Sequence, residues 1–210
     1  MRSPVQTRQA SSPRLELSGT SFSSIQNDLR CCILLAERGY DLQALGQAAS
    51  IFEGWVTLTA IRNEDDAERW LLHSDESTSF GRIRPLTQQA LQYILGEVQE
   101  ADKLYGIYRQ LCMAKHLNPI LERTRGHEIQ EGTIEFLPGP DTRPLAINHS
   151  WFALERGARL ASFAIIAFIH NDPALLSSDL KAKIEEQQVR LNALQTLSVQ
   201  RWPESYPPEA

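Results

Sequence analysis

Arg109 and His116 are the side chains of this chain best suited to chemistry. They lie seven positions apart in Tyr108-Arg109-Gln110-Leu111-Cys112-Met113-Ala114-Lys115-His116. On a helix, seven positions is nearly two turns. Both side chains then leave from one face, roughly 10 Å apart along the axis. A guanidinium keeps its charge at every physiological pH. An imidazole titrates near neutrality. With the polar Gln110 beside them, such a stripe can bind a phosphate and move a proton, as metal-independent RNA cleavage requires. The same spacing also arises without chemistry. The helix dipole favours a histidine in the last turn, and a solvated arginine needs no partner.

Glu53 is the second candidate. It falls on the apolar stripe of a helix marked by Leu42, Leu45, Ala49, Phe52, Val56 and Ala60. A carboxylate there needs a cation, a proton or a place at the edge of the core. Arg109 or Arg30 is the expected partner, either within a site or as a structural ion pair. Metal chemistry finds little support. His127-Glu128-Ile129-Gln130-Glu131 opens like a zinc-protease motif but lacks the second histidine. No histidine follows a glutamate at a distance of three, so the paired ligands of di-iron bundles are missing. There is no spaced cysteine pair for structural zinc. Neither a glycine-rich phosphate loop nor a Gly-x-Ser-x-Gly turn is present. No metal and no cofactor is expected.

The elements that must carry these residues are helical. Ile25, Leu29, Cys32, Ile33 and Ala36 give a first helix over residues 24–39, with Gly39 as its stop. Asp41 caps a second of about twenty residues, whose Gly46 and Gly54 would admit a close neighbour. Asn63 caps a short third, residues 64–73. Residues 86–97 and 102–115 follow, either as two helices or as one with a break, and Asn118-Pro119 ends them. Residues 117–145 are broken by Gly and Pro and read as a long irregular loop, with one extended segment at 133–137. Residues 147–170 form a strongly apolar helix expected at the centre of the bundle. A final amphipathic helix carries Leu176, Leu180, Ile184, Leu191 and Leu194. It covers the bundle or meets a partner.

The fold class expected is all-α: one bundle of about six or seven helices over residues 21–199. A flexible arm (1–20) precedes it and an extended tail (200–210) follows. The chain is 42% hydrophobic and 22% charged, a globular balance. Its net charge of -5 argues against a broad basic surface for duplex nucleic acid. Three cysteines, two of them adjacent, do not make a disulfide framework. The longest apolar run, residues 160–169, is too short to span a bilayer. The first 24 residues lack the apolar core of a secretory signal. No membrane association and a cytoplasmic location are expected.

Two stretches carry a resemblance. One is Ala48-Ala49-Ser50-Ile51-Phe52-Glu53-Gly54-Trp55-Val56-Thr57-Leu58 with Ala67-Glu68-Arg69. The other is Tyr108 to Cys112 with His116, Asn118 and Pro119. Both resemble a family of bacterial all-helical proteins classed as a domain of unknown function, which is itself similar to HEPN-type bundles. Those bundles often carry an arginine, a polar residue directly after it, and a histidine separated from the arginine by four to six residues. Arg109, Gln110 and His116 fit the upper limit of that pattern. The resemblance implies a metal-independent ribonuclease of a toxin or phage-defence system, acting on RNA as a homodimer beside an antitoxin or defence partner protein. Some members have lost activity. The alternative is therefore a non-enzymatic helical interaction or regulatory module. Where Arg109 and His116 point separates the two: a shared solvent cleft favours the enzyme.

Overall fold

Ser12 sets the start of the first helix. Its hydroxyl accepts a hydrogen bond from the Leu15 amide at 3.2 Å, and Pro13 fills the first helical position. The computed structural model describes residues 12–72, 83–95, 101–116, 126–130, 133–136 and 139–201. Helix α1 spans Pro13–Glu37, so residues 13–20 are helical and not the flexible arm expected. Arg14 ties this turn down. Its amide donates to Glu64 at 3.1 Å and its guanidinium to the Asn171 carbonyl at 2.7 Å. Gly39, at φ +77°, then turns the chain. A Cβ there would lie 3.1 Å from the Asp141 carbonyl oxygen, so glycine is required for both its conformation and its size.

Helix α2 (Asp41–Ala60) begins after that turn and is the central element, with twelve of its twenty residues buried. Around it stand α1, α4 (Ile83–Leu95), α5 (Ala101–Lys115) and α6 (Pro144–Asn171), while α3 (Glu64–Leu72) packs on α1. The Asn63 side chain caps α3 through the Asp66 amide at 2.9 Å, as its position predicts. Helices α1 and α5 run antiparallel to α2. Ile25 meets Gly54, and Cys32 meets Ala44. Tyr108 meets Glu53, and Lys115 meets Gly46. Helix α6 runs parallel to α2: Asp41 pairs with His149, Ile51 faces Gly157, and Asn171 bonds the carbonyls of Leu58 and Ile61. A parallel neighbour needs a long crossover, here everything between Ile61 and Arg143.

Helix α6 was expected at the centre, and α2 takes that place. Eleven of the 28 residues of α6 are buried, while Phe163, Ile165, Ile166 and Phe168 stay partly exposed. The reason is size. Alanines and serine fill its inner face, and α2 carries Phe52, Trp55 and Ile51, which bury more surface. A short 3₁₀ turn, Pro173–Leu175, leads into α7 (Ser178–Arg201). This last helix covers α6. Arg159 is the clasp, reaching the fully buried Glu155 at 2.9 Å and Gln195 of α7 at 2.7 Å.

Within the expected irregular loop, two strands pair antiparallel: β1 (Gly126–Gln130) and β2 (Thr133–Phe136). The single extended segment expected at 133–137 is therefore half of a hairpin. Across from it, β1 pairs in the register Gly126 with Phe136, His127 with Glu135 and Glu128 with Ile134. The loop expected at 75–81, the Asn118-Pro119 stop and the tail beyond residue 201 lie outside the described residues. With seven α-helices and one small hairpin among the described residues, the all-α class holds. No helix among them is long and apolar enough to cross a membrane.

Candidate functional site

A cleft of about 590 Å³ opens where α1 and α5 stand apart over α2. Its floor is Ser50, Glu53, Gly54 and Thr57 of α2. One wall is α1, with Ser24, Ile25 and Asp28. The other is the end of α5, with Tyr108, Lys115 and His116. Trp70 and Leu86 close the far end.

Glu53 is the hub. Its Oε1 accepts a hydrogen bond from the Tyr108 hydroxyl at 2.9 Å, and its Oε2 accepts one from Lys115 Nζ at 2.7 Å. A carboxylate on the apolar stripe thus has the partners that its position demands. They are Lys115 and Tyr108, not Arg109 or Arg30. Arg30 lies on an exposed face of α1 and bonds Asn27 instead. The side chains of Glu53 and Lys115 are 31% and 30% exposed, so water still screens the pair. Tyr108 is deeper, at 2% exposure. Burial first, then the Cys112 thiol and Glu53, hold its hydroxyl protonated well above the ordinary tyrosine range. It is a fixed donor. Burial likewise raises the Cys112 thiol, and it pushes Cys32 up to about 12. Neither is a thiolate near neutrality.

Asp28 differs from Glu53. It is half-buried on the cleft wall and makes no hydrogen bond or ion pair with another described residue. Burial raises its pKa above the ordinary aspartate range. Lys115 pulls the other way, and Glu53 adds to the rise.

The predicted pair divides. His116, one residue beyond α5, lines the cleft and is exposed. Its amide donates to the Cys112 carbonyl at 3.0 Å. Arg109 and Gln110 are exposed on α5 and are not among the cleft residues. The helical geometry explains the division. Tyr108 and Lys115 are also seven apart, and their stripe lies about 100° round the helix from that of Arg109. The inward stripe is Tyr108, Leu111, Cys112 and Lys115, three of them buried. Reasoning from residue types passed over Tyr108, Lys115 and Asp28. Only the first two left a signal: an apolar i, i+3, i+4 pattern ending in a lysine, opposite a helix that carries an inward glutamate.

A second polar cluster sits at the α2 N-terminus. His149 Nδ1 lies 2.8 Å from the buried Asp41, beside the Arg143–Asp141 pair. It joins α6 to the start of α2 and opens to none of the cleft residues. Among the described residues, no three His, Cys, Asp or Glu side chains stand close enough to hold a metal ion. Comparison with models of known families, with curated proteins and with solved structures returned no match.

Proposed function

We propose that this chain is a non-enzymatic helical binding module, whose cleft between α1, α2 and α5 takes a small organic molecule. The observation that carries this reading is the construction of the cleft. Its volume lies within the range of ordinary ligand sites, its walls are partly apolar, and few polar groups converge on it. Those groups are held in place by packing: Tyr108 is locked in the core and fixes Glu53, which fixes Lys115. The groups that catalysis needs are less well served. The buried thiols are protonated, and Lys115, the one fixed cation among the described residues of the cleft, is already engaged by Glu53.

The test is a fragment library followed by amide shifts in two-dimensional NMR. Hits should concentrate on Ser24, Gly54, Thr57 and Lys115. They should vanish in Ser24→Trp, which fills the cleft. Hits scattered over the surface, or unaffected by that variant, would remove the reading.

One observation favours the HEPN-like ribonuclease as a second reading: His116 lines the cleft just past the end of α5, the helix that carries Arg109 nearly two turns earlier. On that reading, a symmetric dimer brings two such ends to one axis and supplies the charge that a single copy lacks. His116→Ala and Arg109→Ala would each abolish RNA cleavage, cleavage would survive a chelator, and the melting temperature would stay nearly constant. Purified protein that cuts no RNA leaves the binding module.

A further inference from the structure

We infer that the ligand of this cleft is a small organic cation, a molecule with one protonated amine on a compact apolar or hydroxylated body. The inference rests on the reading of the cleft as a binding site and adds the charge of the occupant. The charged groups facing the cleft are Asp28 on α1, Glu53 on α2, and Lys115 and His116 on α5. Among the described residues of the lining, two carboxylates face one ammonium. That ammonium is spent on Glu53 at 2.7 Å. Asp28 is therefore left as a half-buried carboxylate with no partner among the described residues. A carboxylate in that position gains from any cation that replaces its lost water. An anion would meet two negative charges and would have to draw Lys115 off Glu53.

The rest of the lining fits such a molecule. Ile25, Leu86 and Trp70 offer apolar surface. Thr20, Ser21 and Ser24 stand on the same wall as Asp28 and can bond a hydroxylated body. Spacing on α1 supports this. Ser21, Ser24 and Asp28 recur at three and four, so one face of the helix carries them all.

Three probes with one body and different charge decide the matter: benzylamine, benzyl alcohol and benzoate. Each is titrated at millimolar concentration into the full chain at pH 7, with amide shifts as the readout. Benzylamine should shift Ser24, Asp28 and Gly54, and bind about tenfold more tightly than benzyl alcohol. Benzoate should not bind. Asp28→Asn should remove the preference for the amine while leaving the alcohol unchanged. Lowering the pH should weaken benzylamine as Asp28 takes up its proton, above the range of an ordinary aspartate, and should leave the alcohol unaffected. The wild-type comparison decides the charge even if the variant fails to fold. Equal binding of all three, or a preference for benzoate, would overturn the cation and keep the binding site. No shift at the cleft with any probe would overturn both.

Discussion

Asp28 and Glu53 are carboxylates of one cleft with opposite consequences for stability. Asp28 has its folded pKa raised, chiefly by burial, so the folded chain holds that proton more tightly than the unfolded chain does. The sign follows. Its contribution improves as pH falls through the window just above the ordinary aspartate value, and at neutral pH it is a penalty. Asp28→Asn should therefore raise the melting temperature at pH 7, and the gain should shrink as pH falls below the raised value. A variant equally stabilised at pH 3 and pH 7 would contradict the buried charge. For Glu53 the expected change is a loss. Glu53→Ala strands the Tyr108 hydroxyl in the core, leaving it the weakly bonding Cys112 thiol, at a cost of about 1–3 kcal/mol in denaturant unfolding. Glu53→Gln keeps an acceptor for Tyr108 and loses only a screened ion pair, so it should cost less than about 1 kcal/mol. Equal losses would mean that the lysine, not the tyrosine, matters to the fold. The need of Glu53 for a partner was legible from its place on the apolar stripe. Which partner was not, because that depends on the rotation of α5 about its axis. A turn of one residue replaces Arg109 by Tyr108, and residue types alone do not set it.

Helix boundaries were legible where caps and glycines mark them. Asn63 and Gly39 stand where their chemistry predicts, but Asp41, expected as the cap of α2, is its first residue: Tyr40 holds the cap position without a side-chain bond, and the Asp41 carboxylate is turned to His149 instead. The start of α1 was missed because Ser, Arg and Gln around two prolines imitate a flexible arm. Ser12-Pro13 was nonetheless a start signal, and Arg14 gave it tertiary anchors. Close packing of helices is also written in α2. A Cβ added at Gly54 would lie 2.6 Å from Ile25 Cγ1, whereas one at Gly46 would meet Lys115 Cα at an ordinary 3.5 Å. The two glycines look alike in sequence and are not alike in structure. Gly46→Ala should stabilise the chain by up to about 1 kcal/mol, from helix propensity alone. Gly54→Ala should destabilise it by about 1–3 kcal/mol, because α1 must move or Ile25 must leave its rotamer. Thermal melts of the two variants settle this. Stabilisation by both would mean that α1 packs more loosely than described.

The whole molecule is a core helix, α2, wrapped by neighbours that arrive from distant parts of the chain. Its helical class was legible from periodicity. The order of burial was not, since hydrophobicity along α6 measures what the helix can bury, not which neighbour is large enough to cover it. Ala164 shows that α6 is still indispensable: its side chain is fully enclosed. Ala164→Asp puts an unpaired carboxylate there and should abolish cooperative unfolding, or lower stability by more than about 4 kcal/mol. A melting temperature within a few degrees of the parent would displace α6 from the core.

The parallel pairing of α2 with α6 has a consequence for synthesis on the ribosome. Asp41 and His149, partners in the fold, are 108 positions apart. Helices α1 and α2 can pair as soon as they leave the exit tunnel. The side of α2 meant for α6, with Ala48 and Ile51, then waits for everything up to Asn171. At ordinary rates of synthesis, that wait is on the order of ten seconds. During it, the nascent chain exposes an apolar helix face that the finished protein hides. Nascent chains stalled before Asn171 has emerged should be cut by protease within α2 and should capture a chaperone. Chains held on the ribosome by a linker appended after Ala210, long enough to bring α6 clear of the tunnel, should resist both.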